Sequence, residues 1–193
     1  MPDEWGSIET AIRSGEADRV NDVIDRLEAI EVDERVEYWN TGFDRLTDLY
    51  ADSDDGYVRQ SVVRAVEALS PGLASAFIAV DSTGAEIDDA ALRERLDTTC
   101  GFLLEALQDE DGRVRQSAIR ALKDCFRAYE ALEDVETIEA IEAELEDLAS
   151  EFTGSRREHV LEAKEDAEFF SRPGGERLIE SISGLIQEAA HRD

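Results

Sequence analysis

What most constrains this chain is that it states one segment twice. Asp109–Arg127 reads DEDGRVRQSAIRALKDCFR, and Asp54–Leu69 reads DDGYVRQSVVRAVEAL. In register, Gly56 falls on Gly112, Val58 on Val114, Arg59-Gln60-Ser61 on Arg115-Gln116-Ser117, and Arg64-Ala65 on Arg120-Ala121. A unit restated at fixed spacing points to an array, in which each copy buries its apolar face on the next.

Both copies carry apolar residues three and four apart, the period of a helix. Val58, Val62, Ala65, Val66 and Leu69 form one stripe; Val114, Ala118, Leu122, Cys125 and Tyr129 form the other. Ahead of them, Asp33–Tyr50 (Val36, Trp39, Phe43, Leu46) and a helix capped by Asp88 or Asp89 and running to Leu107 (Leu92, Leu96, Cys100, Leu103) show the same period. Val135–Phe152 and a following helix to Phe170 complete a third, less regular pair, with His159 expected on its surface. Ser70-Pro71-Gly72 breaks the chain before a brief helix through Val80, and Glu176–His191 reads as a last helix. No stretch alternates polar and apolar over strand length. The expectation is a single all-α domain over 1–193, with antiparallel pairs at about 33–70, 88–132 and 135–170 and capping helices at 1–30 and 175–191.

An acidic turn, then Val-Arg, then small residues and Ala-Leu, resembles the HEAT repeat, in particular its short subtype named after phycobilisome lyases. The residues are Asp54/Asp55 with Val58-Arg59, and Asp111 with Val114-Arg115. The resemblance implies an α-solenoid, and a non-enzymatic scaffold that binds proteins along the concave face lined by each pair's second helix. It also implies a structural ladder in which Arg59 and Arg115 meet the turn acids Asp54, Asp55, Asp109 and Asp111. Two other readings stand beside it: a HEAT-like nucleic-acid-acting enzyme of DNA glycosylase type, using aromatics such as Tyr38 and Trp39, and a structural subunit of an oligomer.

Composition narrows the chemistry. There are 48 acids against 20 bases, a net charge of −28, and only two of the bases are lysines, Lys123 and Lys164. So acidic a coat resembles that of halophilic cytoplasmic proteins, where molar salt shortens the screening length to about 3 Å and removes the self-repulsion. The longest apolar run, Ala76–Val80, is far below the ~20 residues of a membrane span. With that and an acidic N-terminus, a cytoplasmic protein is expected. Two histidines (His159, His191) and two cysteines (Cys100, Cys125) cannot build a multi-histidine or four-ligand metal site, so no metal or cofactor is expected. No nucleophile–histidine pair and no glycine-rich phosphate loop stands out, leaving no candidate catalytic residue.

Local charge supplies the candidate surface. Gly112–Arg127 holds five bases and one acid, whereas 128–155 holds ten acids and no base. Arg113, Gln116, Arg120, Lys123 and Arg127 form one stripe, distinct from the core stripe, and Tyr57, Gln60 and Arg64 are its counterpart in the first copy. Those eight residues are the expected partner-binding face, or else a row of internal ion pairs. Guanidinium forks suit carboxylates, so an acidic protein segment is the expected partner, with nucleic acid disfavoured wherever salt is high.

Overall fold

The computed structural model describes residues 4–70 and 89–172. The expected helices at 71–80 and 175–191 lie outside those residues. Eight helices are described: α1 (Glu4–Arg13), α2 (Ala17–Glu28), α3 (Val32–Ala51), α4 (Gly56–Leu69), α5 (Asp89–Ala106), α6 (Gly112–Ala131), α7 (Val135–Glu151) and α8 (Gly154–Ser171), with no strand among the described residues. The fold is all-α and solenoidal.

Local chemistry sets most boundaries. Asp55 and Asp111 cap α4 and α6, their carboxylates accepting from the backbone N–H of Tyr57 (2.8 Å) and Arg113 (2.9 Å). Asp134 does the same for α7 through Thr137 (3.2 Å). Each such cap is worth about 1 kcal/mol. The start of α3 differs from the sequence expectation. Its N-cap is Glu31, which makes no side-chain capping bond, so Asp33 lies inside the first turn.

Packing builds two rows. α2 lies against α4, α4 against α6, and α6 against α8, so the second helix of every pair joins one continuous layer. The first helices are tied across the other layer. The indole N–H of Trp5 (α1) donates to Thr41 (α3) at 3.0 Å, and that of Trp39 (α3) donates to Thr99 (α5) at 3.0 Å. Tyr129 of α6 reaches Asp97 of α5 at 2.7 Å. α1 and α2, expected as a cap, close the stack by laying one more antiparallel pair on it.

The expected core stripes of both repeated helices are buried throughout, with Val62, Val66, Val114, Ala118 and Leu122 wholly inaccessible. Cys100 and Cys125 are buried free thiols. The hydrogen-bonded neighbour Cys100, and then burial, hold the Cys125 thiol well above its ordinary pKa, so it behaves as a small apolar side chain. Trp39, assigned to the core from its spacing, is only half-buried. It stacks on Phe43 at 4.6 Å, and the Arg95 guanidinium lies over its ring at 5.9 Å.

Candidate interaction surface

The repeated arginines do different things in the two copies. Arg59 forks onto Asp109 of the next turn, Nε to Oδ2 at 2.7 Å and Nη2 to Oδ1 at 3.0 Å, and its Nη1 donates to the Ser53 carbonyl at 3.0 Å. Tyr50 donates to the same carboxylate at 2.6 Å. Burial pushes the Asp109 pKa up, but the bonds from Arg59, Tyr50 and the Asp111 N–H outweigh it, and the net shift is downward. Asp55 and Asp111 cap helices and do not bind the arginine. Asp54 is exposed, with no ion-pair partner among the described residues.

Arg115 meets no carboxylate among the described residues. It is 3% exposed and donates to His159 Nδ1 (2.8 Å), to the carbonyls of Asp109 (2.7 Å) and Glu110 (2.9 Å), and to Ser155 Oγ (3.2 Å). His159, expected on the surface, is therefore half-buried and a structural acceptor. Its position on the turn-proximal part of α8 puts it where the next rung falls. Burial, then the Arg115 charge, lowers its pKa.

That arrangement has a pH consequence. The folded state favours neutral His159, so its contribution is complete above the unfolded value of about 6.5 and declines as pH falls below it. His159→Asp puts a carboxylate oxygen where Nδ1 sits and recreates the fork of the first copy. We expect a gain of about 1 kcal/mol at neutral pH and a flatter stability profile just below it. Denaturant titration of both proteins across that window checks this, and an unchanged slope would remove His159 as its source.

The polar face of the second-helix layer carries a groove of about 710 Å³. α4 lines it with Tyr57, Gln60, Arg64 and Glu67, and α6 adds Arg120 and Asp124. α2 supplies Ile24 and Glu28, and Ala68 adds a second apolar contact. Arg35 also lines it, donating to the carbonyls of Ile30 (2.8 Å) and Glu28 (2.5 Å), at and just beyond the end of α2. Of the eight residues expected to bind a partner, the fold thus brings Tyr57, Gln60, Arg64 and Arg120 together at the groove. Arg113, Gln116, Lys123 and Arg127 lie outside it.

The cations outside are held in close pairs. Arg113 binds Asp111 at 2.6 Å, Arg127 binds Asp124 at 2.5 Å, and Lys123 crosses to Asp166 of α8 at 2.5 Å. Those inside are looser. Arg64 donates to Asn21 Oδ1 at 3.0 Å, and Arg120 Nε stands 3.7 Å from Glu67. Glu67 is itself half-buried. Desolvation raises its pKa, helped by Asp124 and Glu28 and opposed by Arg120 and Arg64. Asn21 and Glu28 escaped the sequence reading because α2 was not aligned with the repeat. Had α1 and α2 been read as a pair, the polar row Asn21, Asp25, Glu28 would have stood out at the same three-and-four spacing.

Small residues after a buried Val-Arg, an aspartate-capped second helix and a guanidinium rung to the next turn are now placed in three dimensions. Residues 100–129 match the HEAT repeat family. The HEAT match covers the end of α5, the turn 107–111 and most of α6. Comparison with curated proteins and with solved structures gives no match. HEAT repeats generally mediate contacts between proteins, and none of the described helices is long and apolar enough to cross a membrane.

Proposed function

We propose that this HEAT-type solenoid is a non-enzymatic scaffold that binds a protein partner along its second-helix layer, at the groove between α2, α4 and α6. The observation that carries this reading is the groove itself. It is a concavity of about 710 Å³ on the polar face, within the ~300–1,000 Å³ typical of binding clefts. Apolar contacts from Ile24, Ala68 and the Tyr57 ring lie among side chains that donate and accept hydrogen bonds. Such a mixture suits recognition of a polypeptide segment, where a few anchors carry most of the energy. No residue arrangement around the groove pairs a nucleophile with a base, and no described group of His, Cys, Asp and Glu is disposed to hold a metal ion.

Affinity capture with the purified chain as bait, compared between variants of equal helicity, tests the proposal. Tyr57→Ala/Gln60→Ala should lose the captured partner, by tenfold or more in recovered amount. Arg113→Gln/Arg127→Gln, altered on the same layer but outside the groove, should retain it. Loss in the second variant with retention in the first would move the interface along α6 and away from the groove.

A further inference from the structure

We infer that the groove receives a carboxylate side chain of an acidic peptide segment, clamped between Arg64 and Arg120; this rests on the groove being the binding surface. At the groove the fold leaves two guanidinium groups without a close carboxylate. Three arginines of this layer and its turns are held closely by carboxylates: Arg59 by Asp109 at 2.7 Å, Arg113 by Asp111 at 2.6 Å and Arg127 by Asp124 at 2.5 Å. Acids outnumber bases 48 to 20, so a carboxylate partner for any given arginine is easily supplied. Yet Arg64 hydrogen-bonds the neutral amide of Asn21 and no carboxylate among the described residues, and Arg120 meets Ser117 Oγ at 3.2 Å and Glu67 no closer than 3.7 Å. A guanidinium has five N–H donors, so both retain most of theirs at the groove. Paired forks of this kind recognise a carboxylate bidentately.

The acids of the groove do not reverse the argument. Asp124 is engaged by Arg127. Glu67 of α4 stands 3.7 Å from Arg120 Nε, too far for a hydrogen bond, while Glu28 is exposed. Counting Arg35, three bases face three acids, so the groove is locally neutral on a body of charge −28. There an approaching carboxylate meets as many guanidinium forks as acids, whereas the coat as a whole carries 48 acids against 20 bases. A basic segment would find carboxylates over the whole coat, and nothing in the groove would single out one position for it. The apolar contacts from Ile24, Ala68 and Tyr57 match the aliphatic stem of a glutamate.

The charge of the body gives this binding an unusual salt signature. At low salt the screening length is about 30 Å, and the whole coat repels the segment. At moderate salt that repulsion is screened, while the short-range fork persists. Affinity should therefore rise from low to moderate salt, opposite to an ordinary ion-pair complex.

The test titrates the full chain, labelled with nitrogen-15, with three terminally blocked alanine-based peptides bearing Glu, Gln or Lys at the same positions. The side-chain Nε–H resonances of Arg64, Arg120 and Arg127 are followed. The inference requires the Glu peptide to move the signals of Arg64 and Arg120, to leave Arg127 unmoved, and to bind more tightly at moderate than at low salt. Arg64→Gln and Arg120→Gln should each weaken it about tenfold. A Gln peptide that perturbs the groove equally well would overturn the carboxylate clamp and leave the groove as the binding surface. Preference for the Lys peptide would overturn it in favour of a basic segment on Glu67 and Glu28. No perturbation by any of the three would sink both the clamp and the groove reading beneath it.

Discussion

Asp109→Ala is expected to destabilise the fold by about 3–5 kcal/mol, the largest single effect foreseen for this chain. The Arg59 and Asp109 side chains are 11% and 5% exposed, so removing the carboxylate strands a buried guanidinium along with the Tyr50 hydroxyl. The penalty comes from the unpaired charge more than from the lost attraction. It follows that Arg59→Met/Asp109→Leu, which removes both charges and fills the space, should recover most of the loss. Chemical denaturation of the two singles and the double measures this directly. A double mutant as unstable as Asp109→Ala would mean that the fork contributes far more than charge neutralisation. The pair also sets an acid limit. Because the folded-state pKa of Asp109 lies below its ordinary value, its contribution is complete above about 3.9 and is lost as pH falls from there through the folded value.

The second large effect is steric. Gly42 lies inside α3, where alanine would ordinarily gain helix stability, but a Cβ there would fall within the Trp5 indole. Trp5 is 7% exposed, hydrogen-bonded to Thr41 and 5.9 Å from the Tyr38 ring, and it carries much of the seating of α1 on α3. Gly42→Val should therefore expel the indole and cost about 3 kcal/mol, the scale of losing a large buried aromatic. A red shift in tryptophan emission should accompany the loss. Gly101, on the exposed side of α5 with open space around it, is the control. Gly101→Ala should stabilise the chain by up to about 1 kcal/mol. If Gly42→Val leaves both melting temperature and emission unchanged, Trp5 is not wedged against Gly42.

These two sites mark the boundary of what the chain's order of residues makes legible. The restated segment, the 3.6-residue period of its apolar positions and the aspartates before Gly56 and Gly112 are local features. Backbone geometry converts them into helices and caps wherever they occur, and so the all-α repeat and the core faces of α4 and α6 were readable in advance. The shape of α1 on α3 was not. Nothing in the sequence near Gly42 announces that an indole from Trp5 fills the space a Cβ would take.

The same divide runs through the charged residues. Arg59 and Arg115 occupy one position in two copies of one motif, yet the first forks onto Asp109 and the second onto His159, Ser155 and backbone carbonyls. Within a helix, which side chains share a face follows from spacing alone. Which partner a side chain meets across a gap depends on the rise and rotation of the neighbouring helix, fixed by packing along the whole interface to within an ångström or two. The sequence by itself determined a basic row and an acidic background. Only the tertiary arrangement decided that Lys123 would tie α6 to Asp166 and that Arg113 and Arg127 would close on their own helix. It also decided that Arg64 and Arg120 would be left facing one groove, because hydrogen-bond distances resolve offsets between helices that hydrophobic periodicity does not.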